Sequence, residues 1–137
     1  MIKHTQEFTD IGGPIPGDCW RASIASLLDL PLIDVPHFLH EHPEEGYAWW
    51  YHSVQFVESA KPGWTLQAFD PSWPVYHDPG GDPPYVILTG QSPRGDWLHS
   101  VIADAETGDI VWDVHPDRTG VLSQVDVCAL VKVGTDD

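Results

Sequence analysis

Cys19 stands where a loop becomes a helix. The stretch Gly12-Gly13-Pro14-Ile15-Pro16-Gly17 ends abruptly at Asp18-Cys19-Trp20, and Ala22, Ile24, Ala25, Leu27 and Leu28 then recur at helical spacing. A cysteine in the first turn of a helix meets unpaired backbone N–H groups and the positive end of the peptide dipoles, which favour a thiolate nucleophile. Such a nucleophile needs an imidazole to move protons, and the imidazole needs an acceptor to orient it. Of the eight histidines, His99 is the one set inside an apolar strand, Leu98-His99-Ser100-Val101-Ile102. A polar ring there is either a core histidine with satisfied nitrogens or part of a site. Asp113 lies in Val111-Trp112-Asp113-Val114, a second apolar run in which a carboxylate requires a partner. Each has an inert alternative: Cys19 as a small apolar helix residue, and Asp113 as an edge charge or a cap for the turn at His115-Pro116-Asp117. Cys128, inside an alternating apolar strand with no histidine nearby, reads as core.

The elements that must position these residues fall in a simple order. Asp18 reads as the N-cap of a helix running to Asp29, which Leu30-Pro31 stops. Asp34 with Val35-Pro36 reads as the start of a short second helix to about His40, and a third runs from about Tyr47 to Ala60, ending at Lys61-Pro62-Gly63. Beyond Gly63 the pattern turns extended, with strands expected at 64–69, 85–89, 98–104, 109–115 and 125–133 and a long Pro/Gly loop at 71–84. Helices first and antiparallel strands second give an α+β fold, one domain over 1–137. A three-residue hairpin loop at Glu106-Thr107-Gly108 makes paired residue numbers sum to an even value. Odd-numbered residues then share a face, which places His99, Val101, Asp113 and His115 together.

With Gly17-Asp18-Cys19-Trp20, Ser23 one turn on, His99-Ser100-Val101 on a strand and Asp113 on the next, the chain resembles the papain-like cysteine peptidase superfamily. The spacing from His99 to Asp113 is similar to that of its compact bacterial branches, such as bacteriocin-leader peptidases and NlpC-like or transglutaminase-like enzymes. The resemblance implies N-terminal helices carrying Cys19, packed on a C-terminal antiparallel sheet carrying His99 and Asp113. It also implies hydrolysis of a peptide or protein-attached amide through a thioester, with no cofactor. Acyl transfer to an amine, as in transglutaminases, and deamidation use the same chemistry and stay open. The interval from Cys19 to His99 is 80 residues, so the large substrate-binding lobes of papain are absent. The family places a Gln shortly before the Cys as an oxyanion donor, whereas here the only upstream one is Gln6. Gln6 is therefore the candidate donor, beside the Cys19 backbone N–H. Asp18, Trp20, Trp97 and Arg94 are further candidates for substrate contact, Arg94 with a surface ion pair to Asp96 as its alternative use.

Composition bounds these readings. At 137 residues and 42% apolar, with seven Trp, the chain builds one real core. Six Lys and Arg against 21 Asp and Glu leave a net charge of −15, which disfavours nucleic acid and anionic membranes and favours a neutral or basic peptide or protein partner. No apolar run has the length of a signal peptide or membrane span, and two cysteines suit free thiols, so a cytoplasmic protein is expected. His37, His40 and His42 with Glu41 lack a recognised fourth ligand, and no metal is expected. Trp97 and Trp112 adjoin the proposed catalytic residues, and some tryptophans are expected to wall a cleft. The competing class is a catalytically silent, acidic protein-binding module on the same scaffold.

Overall fold

The computed structural model describes residues 1–9, 16–43, 46–74 and 84–133. Its helices are α1 (Cys19–Leu28), a 3₁₀ turn (Leu32–Asp34), α2 (Phe38–Glu41) and α3 (Ala48–Ala60). Its strands are β1 (Trp64–Phe69), β2 (Tyr85–Gln91), β3 (Leu98–Asp104), β4 (Ile110–Trp112) and β5 (Asp126–Lys132). They form one antiparallel sheet in the order β1-β5-β2-β3-β4, with the last strand inserted between the first two. The fold is α+β, as the segregation of helical and extended patterns implies. Among the described residues no single helix is long and apolar enough to cross a membrane. The loops expected at 12–17 and 71–84 lie largely outside the described residues.

Both faces of the sheet are covered, which is why its central strands read as apolar runs and not as clean alternations. On one face Leu66, Ile87, Ile102 and Leu130 pack against Ile24 and Leu27 of α1, Phe38 of α2 and Val57 of α3. On the other, Val86, Leu88, Val101 and Val127 form a second cluster covered by Phe69, Trp73 and Val121. α1 therefore sits on the sheet across an apolar contact, and its first residue, Cys19, is held at the edge of that contact.

Several local expectations change. The second helix begins at Phe38, not at Asp34, because Pro36 restricts Val35 to an extended conformation, here φ −109° and ψ 124°. The hairpin loop has four residues, not three: Asp104 N–H donates to Asp109 O at 2.8 Å and Gly108 N–H to Asp104 O at 2.9 Å. A bulge then places Val111 between the pairs Ala103↔Ile110 and Ile102↔Trp112, which restores the even sum expected from the shorter loop. The ladder also ends at Trp112, so 113–115 turns away from the sheet instead of continuing the strand.

Asp18 stands at the N-cap of α1, yet its carboxylate makes no capping bond. It is fully buried, accepting the Phe8 N–H at 2.8 Å and pairing with Arg21 Nη1 at 3.2 Å, while its own N–H donates to Phe8 O at 3.1 Å. Arg21 spends its other donors on Val35 O, Leu32 O and Glu7 Oε1. The N-terminal segment is thereby tied across the start of α1. Gly90 of β2 is required by a second crossing, because a Cβ there would stand 1.7 Å from Ser123 O of the segment that returns toward β5.

Arg21→Met leaves the Asp18 carboxylate buried without its cation and is expected to destabilise the fold by about 3 kcal/mol. Glu7→Gln, at an exposed partner of the same guanidinium, should cost less than about 1 kcal/mol. Urea denaturation of the two variants measures the contrast.

Candidate active site

The His99 ring and the Asp113 carboxylate are both buried, and His99 Nε2 lies 2.7 Å from Asp113 Oδ1. A carboxylate only accepts, so Nε2 carries a proton, and Nδ1 is the nitrogen left for Cys19, whose thiol lines the same cavity as the ring and favours its charged form. Asp113 is occupied further: Oδ1 accepts the His115 N–H at 2.9 Å and Oδ2 the Gly120 N–H at 2.6 Å. Those two bonds explain why the strand stops where it does, since the carboxylate folds the chain after it into a turn. Cys19, His99 and Asp113 come together as expected, from the N-terminus of α1, from β3, and from the turn after β4.

Burial works against charge on His99, but the hydrogen bonds to Asp113 and Cys19, reinforced by their charges, outweigh it and raise the ring from 6.5 to about 9. The imidazole thus holds its proton at neutral pH. Burial likewise opposes ionisation of Asp113, and the bonds from His99, His115 N–H and Gly120 N–H overcome it, holding the carboxyl below its usual 3.8. The two signs bound a pH window. The stabilisation from charged His99 is complete below 6.5 and is lost as pH rises through about 9. That from Asp113 is complete above 3.8 and is lost as pH falls through its lower folded value. Cys128 contrasts with this site: burial, with the charge of Asp126, pushes its thiol up to about 12. Both thiols are free.

Cys19 lies between two cavities. The smaller, about 170 Å³, is shared with Gln6, Arg94, Trp97, His99 and His115. The larger, about 610 Å³, runs from Cys19 along Trp20, Trp49 and Trp50 to the floor of the sheet at Thr89, Ser100 and Asp126. Trp20 is fixed by its indole N–H on Ser53 Oγ at 2.9 Å and packs edge-on against Trp49, with ring centroids 5.6 Å apart.

The remaining sequence candidates divide. Gln6 reaches the small cavity, but its Nε2 donates to Phe8 O at 2.7 Å, so its amide N–H is already engaged, and its buried Oε1 has no partner among the described residues. Arg94 also lines that cavity, though its ion pair is with Asp117 at 2.9 Å and not with Asp96, because the turn at 115–119 brings Asp117 across to it. Asp18 is in neither cavity and acts through the Phe8 tie. Trp112 is covered by Arg118, 4.1 Å from its ring centroid, and donates to His4 O, away from Cys19. His37, His40 and His42 do not converge: His37 Nε2 bonds Pro16 O at 2.7 Å and His42 stacks on His52. Among the described residues no group of three or more His, Cys, Asp or Glu is placed to hold a metal.

Sequence reasoning overlooked Asp126, Thr89 and Ser100. Asp126 precedes an apolar run, Val127-Cys128-Ala129-Leu130, and the argument applied to Asp113 would have found it. The Gly120 N–H carried no local signal. Comparison with protein-family models, with curated proteins and with solved structures finds no match for this chain.

Asp113→Asn keeps the side-chain size and removes the charge. The His99 titration midpoint, followed by NMR, is expected near 9 in the parent protein and to fall by about 1–3 pH units in the variant.

Proposed function

We propose that the protein is a papain-like cysteine hydrolase, a peptidase or amidase working through Cys19, His99 and Asp113 and a thioester acyl-enzyme. The observation that carries this reading is a buried imidazole bonded to a carboxylate at 2.7 Å and sharing a cavity with the cysteine that begins α1, an arrangement that favours the charged ring and raises it to about 9. A merely structural buried histidine gains nothing from a cysteine at a helix start, whereas an acid–base group that must shuttle one proton to and from sulfur needs that neighbour.

The chemistry follows from the placement. The Cys19 sulfur attacks the carbonyl carbon of an amide, and the electron pair of the C=O bond moves onto oxygen. The Cys19 backbone N–H, in a first turn without intrahelical acceptors, is available to that oxyanion. As the tetrahedral intermediate collapses, the C–N bond breaks and His99 Nδ1–H protonates the departing amine. Water then gives a proton to the neutral His99 and attacks the thioester carbonyl, and sulfur leaves. Asp113 keeps Nε2–H aligned throughout and favours the imidazolium. His99 lines the small cavity and not the large one, so the leaving group belongs on the small side and the acyl part on the large side.

A chloroacetamide probe at pH 7 followed by mass mapping tests the nucleophile: modification is expected at Cys19, with Cys128 untouched. An unreactive Cys19 in the folded protein would leave the acidic binding module as the better reading. In turnover assays on peptide amides, His99→Ala is expected to lower kcat/KM about 10²–10⁴-fold. The parent enzyme should lose activity as pH rises through about 9, where the general acid loses its proton.

A further inference from the structure

The large cavity exists because side-chain size changes along the sheet. Leu66, Leu130, Ile87 and Ile102 fill the layer under α1. Two residues on along each strand of the same face stand Ala68, Cys128, Thr89 and Ser100, with Asp126 beyond Cys128, and the register sets them in two neighbouring rows, Ala68↔Cys128 and Asp126↔Thr89↔Ser100. Short side chains on four adjacent strands leave about 610 Å³ between the sheet and the tryptophans of α1 and α3, within the range of small-ligand pockets.

The lining has a definite chemistry. Trp20, Trp49 and Trp50 present aromatic surface, and none of the described lining residues is basic. Thr89 and Ser100 satisfy each other through their hydroxyls at 2.9 Å. Asp126 is different, a half-buried carboxylate with no hydrogen bond or ion pair among the described residues. Burial holds its carboxyl above the usual 3.8. An uncompensated carboxylate at the end of an aromatic slot, in a chain of net charge −15, matches a positive group.

We propose that this cavity receives, on the acyl side of the scissile amide, a substrate residue with a long apolar stem and a cationic tip, arginine- or lysine-like, whose stem lies along the tryptophans and whose tip meets Asp126. This inference rests on the hydrolase reading, because that reading makes the cavity an acyl-side subsite. A neutral residue of the same shape fills the slot and leaves the carboxylate unpaired. An acidic one meets repulsion.

Two arginine-like probes separate the possibilities, Nα-acetyl-arginine methylamide and its neutral near-isostere Nα-acetyl-citrulline methylamide. Binding is read from the tryptophan indole N–H signals by NMR, using Cys19→Ala protein so that no turnover intervenes. The arginine compound is expected to bind at least about tenfold more tightly, and Asp126→Asn should abolish the difference. Equal binding of the two, or a preference that survives Asp126→Asn, overturns the proposal; should that variant fail to fold, the comparison on Cys19→Ala protein decides alone. In parallel, arginyl and citrullinyl peptide amides are offered to the parent enzyme. Cleavage without preference overturns this inference and leaves the hydrolase standing. Charge-dependent binding through Asp126, with Cys19 inert and neither amide cleaved, sustains the pocket and overturns the hydrolase.

Discussion

A buried carboxylate must find donors for its lone pairs or give up its charge, and Asp113 finds three: His99 Nε2–H, His115 N–H and Gly120 N–H. These come from different parts of the chain, so one group fixes the ring of β3, the turn after β4 and the start of the segment that returns to β5. Arg118 reinforces the same turn by donating to the carbonyls of Asp113 and His115. The returning segment in turn crosses β2 at the one residue without a side chain, Gly90, where Leu122 N–H bonds Gln91 O. The orientation of His99 and the closure of this end of the sheet are therefore one constraint. A substitution at Asp113 strikes both, since it leaves backbone N–H groups unpaired as well as freeing the ring.

The thiol is fixed by a separate set of interactions. Cys19 takes its position from α1, α1 from its apolar contact with Ile87 and Ile102, and the helix start from the paired Phe8 and Asp18 backbones. The distance between sulfur and imidazole is thus set by how a helix packs on a sheet. Apolar packing resists compression and tolerates little slip, which suits the proposed acid–base role of the pair, since a thiol and an imidazole that exchange a proton must hold their separation.

Much of this was legible in the residues. The Gly/Pro approach to Cys19, the polar ring in an apolar strand and the carboxylate in the next identified a trio that the fold brings together. The route to Asp113 was less secure than its result, because a longer loop and a bulge at Val111 cancelled, and no sequence pattern distinguishes that pair from a plain three-residue loop. Asp18 misled for a physical reason. An aspartate before a helix caps it in the ordinary case, but here the Phe8 N–H and Arg21 compete for the carboxylate from elsewhere in the chain, and tertiary partners are invisible to local spacing. The floor of the large cavity escaped notice because it is drawn from four strands, and its members acquire meaning only once register is known.

The two cavities that meet at Cys19 also bear on which half of the thioester step is vulnerable. Under the proposed reading the acyl group stays on sulfur after the amine departs and is anchored on the large side by the tryptophans. The small side is then vacated, and on this reading it is the side whose lining carries His99 to take a proton from an incoming water. Water and an amine compete for that same opening. Its surroundings are polar: Arg94 is held by Asp117, and His115 Nδ1 lies 3.1 Å from both the Asp117 N–H and its carboxylate. Burial, aided by the charge of Arg94, keeps His115 below 6.5, so it stays neutral beside the charged His99 ring 6.0 Å away. A second imidazolium there would depress His99 and, on the hydrolase reading, weaken the acid proposed to release the amine. Burial and Arg94 thus oppose the charge of Asp117 on His115 and, on the hydrolase reading, preserve the protonation state of His99 without touching it.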